Sequence, residues 1–159
     1  MLKPQLEYLL DERRICTLTT YGADDMPHVT AVWFLWESGA LYIATSTQTS
    51  KGRNVIRDPR IAICVESRSA GREAGMTAVG RAEIITGTEA APIAERVNGK
   101  YLTQAAMEHP ALGPAFAEMS DLVIKLVPQR WISWDMNEVA EAMMGPDADP
   151  GVFFQPTLA

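Results

Sequence analysis

The chain has 159 residues, 47% of them hydrophobic, and a formal net charge of −6. That length suits a single domain around one core, and the acidic balance excludes a general binder of nucleic acid or anionic membrane, so any anion site must be local. Two histidines, and two cysteines without a CxxC or metal-ligand spacing, give no basis for a metal centre.

Charges at Lys3 and Glu7 stand where a signal peptide needs its apolar run, and the longest continuous apolar run, Ala31 to Trp36, is far short of a membrane span. A soluble cytoplasmic protein is expected, with Cys16 and Cys64 as small buried residues in a reducing compartment.

Leu2, Leu6, Leu9 and Leu10 share one helical face, with Pro4 tolerated in the first turn and Arg13-Arg14 at the end favoured by the helix dipole. Residues 15–20 read as a strand, followed by a turn over 21–27. His28 to Trp36 is apolar on both faces: Val29, Ala31, Trp33 and Leu35 on one, Val32, Phe34 and Trp36 on the other. A solvent-facing antiparallel strand would alternate, so this one is expected to be buried twice, inside a barrel and against a second subunit. Glu37-Ser38-Gly39 is a hairpin turn, and Leu41 to Thr45 is the returning strand.

The stretch Thr45-Ser46-Thr47-Gln48-Thr49-Ser50-Lys51-Gly52-Arg53-Asn54 then enters a short helix that must stop before Asp58-Pro59. With Thr49 or Ser50 as N-cap, free amides, the positive end of the helix dipole, Lys51 and the Arg53 fork meet within ten residues. Such a set holds a phosphate without a glycine-rich loop; it equally suits an ordinary capped helix with solvated basic residues.

Residues 60–66 form the next strand. A basic, glycine-containing rim follows, with Ser67, Arg68, Gly71, Arg72 and Gly75, and then a strand over 76–85 in which Gly80 marks a bulge or close backbone approach. Ile93, Val97, Tyr101 and Leu102 give helical spacing to 89–107, weakened at Asn98-Gly99. Residues 115–119 add a turn of helix, 121–127 and 130–134 are strands, 137–144 a short helix, and the rest a tail that Val152-Phe153-Phe154 could anchor. Irregular alternation argues against a doubly wound sheet and for an antiparallel barrel with peripheral helices. Trp33, Trp36, Trp131 and Trp134 suit either core packing or a wall for a flat ring. No acid/base or nucleophile arrangement is evident, so no catalytic residue is assigned.

The ordered set of residues 15–20, Gly22, 27–34, 41–45, 50–55 and 58–62, extended by 80–83 and 128–135, resembles the pyridoxamine 5'-phosphate oxidase-like, FMN-binding split-barrel superfamily. The resemblance implies a mainly β fold: a six-stranded antiparallel split β-barrel of Greek-key order with peripheral α-helices, spanning 1–135, with a C-terminal helix and tail over 136–159. It implies a homodimer with cofactor at the interface. Thr45, Ser46, Thr49, Ser50, Lys51, Arg53 and Asn54 would hold the cofactor phosphate, Thr30, Ala31, Val32 and Trp33 would line the ring, and Trp131 or Trp134 would reach the partner's site. Thr30 and Leu35 replace the basic residues of a true pyridoxamine phosphate oxidase, and Arg130-Trp131-Ile132 does not supply its Arg-x-His pair. The Trp-Phe-Leu-Trp and Ser-Trp-Asp runs look closer to the branch using the deazaflavin F420, whose acidic tail Arg53, Arg57, Arg68 and Arg72 could meet. The expected function is a flavin-type oxidoreductase using FMN or F420 on a small organic substrate. The alternative is a non-catalytic flavin or haem carrier, with His28 or His109 as the axial ligand for haem.

Overall fold

A computed structural model describes residues 2–69, 73–147 and 149. The anchor expected at Val152-Phe153-Phe154, and Gly71 and Arg72 of the basic rim, lie outside them.

Among the described residues nine strands form two antiparallel sheets. The first sheet runs β2 (Pro27–Val32), β1 (Cys16–Tyr21), β5 (Arg60–Ser67), β6 (Ala74–Arg81) and β9 (Arg130–Asp135). The second runs β3 (Leu35–Glu37), β4 (Ala40–Thr45), β8 (Leu122–Leu126) and β7 (Glu83–Thr86). The count exceeds the expected six because three extended runs break as they cross between sheets: β2 to β3 at Trp33-Phe34, β6 to β7 at Ala82, and β8 to β9 through Pro128. At Gly80, just before the second crossing, an added Cβ would lie 2.8 Å from Leu126 Cδ1, so the close approach expected there is present.

The inner faces interdigitate in one core with Leu18, Phe34, Leu41, Ile43, Ile63, Met76, Ile124 and Leu126 fully buried. The N-terminal segment closes one end. It is not one helix but a 3-10 turn, Pro4–Leu6, and the single-turn α1, Tyr8–Asp11, which bury Leu6, Leu9 and Leu10. Cys16 is buried, while Cys64 is only half-buried.

The helix expected over 89–107 is two helices. α3 spans Ala90–Gly99 and α4 spans Gln104–Glu108. The break follows Asn98-Gly99, and Thr103 restarts the chain by accepting the Ala106 amide at 3.2 Å. α5, Leu112–Glu118, is capped by His109, whose Nδ1 accepts from the Ala111 and Leu112 amides. α2, Ser50–Arg57, follows β4 and stops before Asp58-Pro59, and α6, Met136–Met144, follows β9. Among the described residues no helix is long and apolar enough to cross a membrane.

The bend at Trp33-Phe34 removes both residues from the sheet ladders, so their buried backbone groups need other partners. Tyr101, just past α3, supplies them. The Phe34 amide donates to its hydroxyl at 3.1 Å, and the hydroxyl proton faces the carbonyls of Arg14 at 2.6 Å and Phe34 at 3.0 Å. The Tyr101 ring stacks on Trp33 with centroids 4.9 Å apart and planes within 3°. Lys100 beside it donates to the Leu10 carbonyl at 3.0 Å and lies 4.2 Å from the Phe34 ring centre.

The twice-buried reading of residues 28–36 holds in part. Toward the core Phe34 is buried, but on the outer face Val29 is 59% exposed and Ala31 is also exposed. In register, Val29, Ala31, Ala62, Cys64, Val79 and Ile132 share that outer face of the five-stranded sheet, none of them fully covered.

Burial pushes the Tyr101 hydroxyl up from 10.0 to about 12 and the Cys16 thiol from 9.0 to about 12. Both raised values favour the neutral form in the folded state. Their contribution is complete below the unfolded values and is lost as pH rises through the folded ones. Denaturant titrations should therefore show stability falling between about pH 9 and pH 12. Tyr101→Phe should cost about 1–3 kcal/mol at neutral pH by orphaning the Phe34 amide and should flatten the alkaline slope. Unchanged neutral stability would show that the bend does not depend on the phenol.

Candidate functional site

The loop between β4 and α2 is shaped by a chain of hydroxyls. Thr49 caps α2, accepting the Gly52 amide at 3.1 Å, and its own proton goes to the Ser46 carbonyl at 2.8 Å. With that proton used, the 3.1 Å contact to buried Thr45 makes Thr45 the donor. The loop lies so close to the helix that a Cβ on Gly52 would stand 2.2 Å from the Ser46 carbonyl oxygen, inside van der Waals contact with backbone. Only glycine fits there without the loop shifting. Asp121, at the start of β8, tethers the outer side of the loop. It accepts the Thr47 amide at 2.9 Å and the Thr47 hydroxyl at 2.7 Å, bonds that hold its carboxyl below the usual range.

This construction separates the basic residues. Arg53 folds back on the Gln48 carbonyl and the Ser50 hydroxyl, and Arg57 bonds the Tyr21 carbonyl. Asn54 is buried and donates to Thr20 Oγ1 at 3.0 Å, fixing α2 to β1. Lys51 has no hydrogen-bond or ion-pair partner among the described residues, and partial burial lowers its pKa. The amides of Ser50 and Lys51, in the first turn of α2, likewise lack protein acceptors.

Lys51 stands in the wall of a cleft of about 480 Å³. Of the residues singled out in the sequence, Ala31, Val32, Trp33, Thr45, Ser46, Thr49 and Lys51 line it. Thr30, Ser50, Arg53, Asn54 and Trp131 do not. Thr30 pairs with Leu18 within the first sheet, Ser50 is exposed at the start of α2, and Trp131 packs edge-on against Trp36 at 5.9 Å on the far edge strand β9. Trp134, on the same strand, covers Gly75.

The rest of the lining is Ile15, Ala44, Val97, Asn98, Phe116, Met119 and Ser120. Most comes from α3 and the segment around α5, which pack against the wall from a distance in sequence that periodicity does not reveal. Phe116 stacks on Trp33 at 5.9 Å. Neither histidine lines the cleft: His28 Nδ1 lies 3.4 Å from Thr20 Oγ1, and His109 caps α5. Among the described residues no group of three His, Cys, Asp or Glu side chains gathers to hold a metal.

The site is thus an apolar slot with one partly desolvated cation in its wall, carried by the first turn of α2, where the Ser50 and Lys51 amides are free among the described residues. That turn suits a compact anion, and the slot suits a flat apolar body.

A family model described as pyridoxamine 5'-phosphate oxidase matches residues 2–135. Among curated proteins none matches the chain. Among solved structures, an F420 reductase is 24% identical, with 82% of this chain and 98% of that chain covered at a TM-score of 0.65. A conserved hypothetical protein from Mycobacterium tuberculosis is 26% identical, with coverages of 87% and 88% and a TM-score of 0.66. General Stress Protein 26 from Bacillus anthracis is 19% identical, with coverages of 81% and 90% and a TM-score of 0.58. These likenesses are of fold. Since the family match runs through both sheets and the whole β4–α2 loop, the chain belongs to the pyridoxamine 5'-phosphate oxidase family.

Proposed function

We propose that the cleft binds FMN, with F420 as the alternative, on a split-barrel scaffold, and that the protein is an oxidoreductase acting on a small organic substrate. The observation that carries this reading is Lys51: a partly desolvated ammonium without a counter-charge, beside two unpaired helix-start amides, in the wall of an apolar slot. A phosphate would restore the interactions that burial takes from the lysine.

The hydrogen bonds refine the assignment. Thr45 and Thr49 have their protons engaged within the loop, so they shape the cradle. Ser50, whose oxygen accepts from Arg53 and which stands outside the cleft lining at the exposed start of α2, keeps a proton to give to a phosphate that projects past Lys51 from the slot. Ala31, Val32 and Trp33 would lie along the ring. The chemistry such a ring supplies when bound is hydride transfer; the chain binds it, orients it and excludes water. The arginines proposed to meet the acidic tail of F420 are engaged within the chain at Arg53, Arg57 and Arg68, which favours FMN. The F420 reductase among the structural neighbours supports the alternative. A haem carrier is disfavoured, because neither histidine lines the cleft.

A homodimer belongs to the same reading. The outer face of the five-stranded sheet carries Val29, Ala31, Ala62, Cys64, Val79 and Ile132, with Thr17, Thr19 and Thr77 between them, and Ile15 and Ala31, on its cleft side, line the slot. A second copy there would cover the face and complete the cleft's open side. The 1–135 unit would then hold the cofactor, with 136–159 as an appendage.

FMN titrated into the protein and followed by flavin fluorescence should bind at micromolar concentration, and Lys51→Ala should weaken it about 10- to 100-fold through loss of one charge-assisted contact. Equal affinity would remove Lys51 from the phosphate site. Gly52→Ala should leave a folded protein with the loop displaced and FMN binding reduced at least as far; wild-type affinity would mean the 2.2 Å approach to Ser46 does not set the cradle. In sedimentation, the protein should run at twice its 17.5 kDa mass, and Val29→Glu with Ile132→Glu should halve it. A wild-type monomer would overturn the dimer.

A further inference from the structure

A second cavity, of about 670 Å³, adjoins the first. It lies between α3 and the α4–α5 segment, with Ala91, Ala94, Met107 and Phe116 among its walls. Asn98, Phe116 and Ser120 line both cavities, so the two meet at these residues. Phe116, stacked on Trp33, is the partition.

The polar groups at this junction are unusual. Asn98 is 6% exposed and Ser120 8%, yet neither side chain has a hydrogen-bond partner among the described residues. Their polar atoms are not sealed in the core, since Arg14 Nε is the fully buried side-chain polar atom without a partner among the described residues; they open into the cavities that both residues line. A ligand entering the cavity meets them as free hydrogen-bonding groups at an otherwise apolar wall. Asn98 offers both a donor and an acceptor, and Ser120 a second donor or acceptor. Glu95 and Asp121 line the chamber, and among the described residues no lysine or arginine does. Its field therefore opposes anions, the reverse of the cradle at Lys51.

We propose that this chamber is a binding site for an uncharged, largely apolar molecule carrying one carbonyl or carboxamide, with that group held at the junction by Asn98 and Ser120. As a substrate subsite it rests on the cofactor reading above, since the junction residues also line the slot where the ring would lie; as a binding site it stands on the cavity and the two unpaired groups. A neutral, mostly apolar ligand matches the walls, and a carboxamide answers both the donor and the acceptor of Asn98.

The test uses 2-naphthamide and its anionic counterpart 2-naphthoate, titrated calorimetrically into the full chain. The amide should bind at least tenfold more tightly than the carboxylate. Asn98→Leu, similar in size and unable to hydrogen-bond, should weaken the amide about tenfold, the loss expected for one to two hydrogen bonds, and should narrow its advantage over the carboxylate. Ala117→Trp, at an exposed position that lines only this chamber, should abolish amide binding while FMN still binds. It decides the question should Asn98→Leu fail to fold.

Equal binding of the two probes overturns the proposal. So does amide binding that survives Ala117→Trp, or that is undiminished in a folded Asn98→Leu protein. Lys51→Ala separates the two readings, because Lys51 lines only the first cleft. Amide binding that persists there without FMN binding supports the chamber independently. FMN binding to wild-type protein that takes up no amide overturns the chamber and leaves the cofactor site in place.

Discussion

The structure depends on a bend. At Trp33-Phe34 the chain leaves one sheet and enters the other, and for two residues the ladders give its backbone nothing. A buried amide and carbonyl without partners would cost several kcal/mol, on the order of 1–3 each. The Tyr101 phenol meets them with one oxygen that accepts and one proton that donates. The same oxygen reaches the Arg14 carbonyl, and Lys100 next to it reaches Leu10. Three parts of the chain distant in sequence are therefore tied at one point: the N-terminal cap, the sheet corner and the end of α3. Because Trp33 stacks on Tyr101, the tie also fixes the aromatic wall of the cleft. Site and fold share this constraint.

The β4–α2 loop shows a different economy. Its hydroxyls are largely used to build the turn, and two of its three arginine and lysine side chains within α2 brace carbonyls. What remains for a ligand is small: Lys51, two amides and the Ser50 hydroxyl. A site made this way is selective by subtraction. A diffuse cluster of free arginines would attract any anion, whereas a single desolvated lysine rewards only an anion that reaches it through the slot. On the proposed function, a chain of net charge −6 would hold a phosphate group this way without becoming a general anion binder.

The capped loop ahead of α2 is legible in the sequence because its parts are local. A Thr cap, a lysine two residues on and a proline stop lie within fifteen residues, and local hydrogen bonding decides their geometry. The nine strands were less legible, since a bend at Trp33-Phe34 has no turn residues to announce it; the signal was the double-faced apolar pattern of 28–36, which comes from one run serving two sheets. Asn54 looked like a phosphate ligand and is a buried bond to Thr20, because which face of α2 meets β1 is set by packing. Asn98 looked like a helix weakener and stands at the junction of two cavities. Phe116, in a segment read as a turn of helix, became part of the wall only when α5 folded back over Trp33. Each of these depends on contacts between residues far apart in the chain, which neither periodicity nor spacing encodes.

The two cavities, which share Asn98, Phe116 and Ser120 in their walls, have opposite electrostatic character. One has an unpaired cation on a helix start with free amides; the other has apolar walls with acidic side chains and, among the described residues, no basic one. A single small ligand does not satisfy both. An anionic group left in the chamber would face Glu95 and Asp121, and a neutral apolar body at Lys51 would leave the ammonium unpaired. With the proposed occupants, the arrangement would sort a charged, phosphate-bearing molecule from a neutral partner and bring their facing parts together at Phe116, Asn98 and Ser120. Orientation would then be settled by electrostatics before any contact at the junction is made, which would leave Asn98 and Ser120 to read only the last polar group of the neutral molecule.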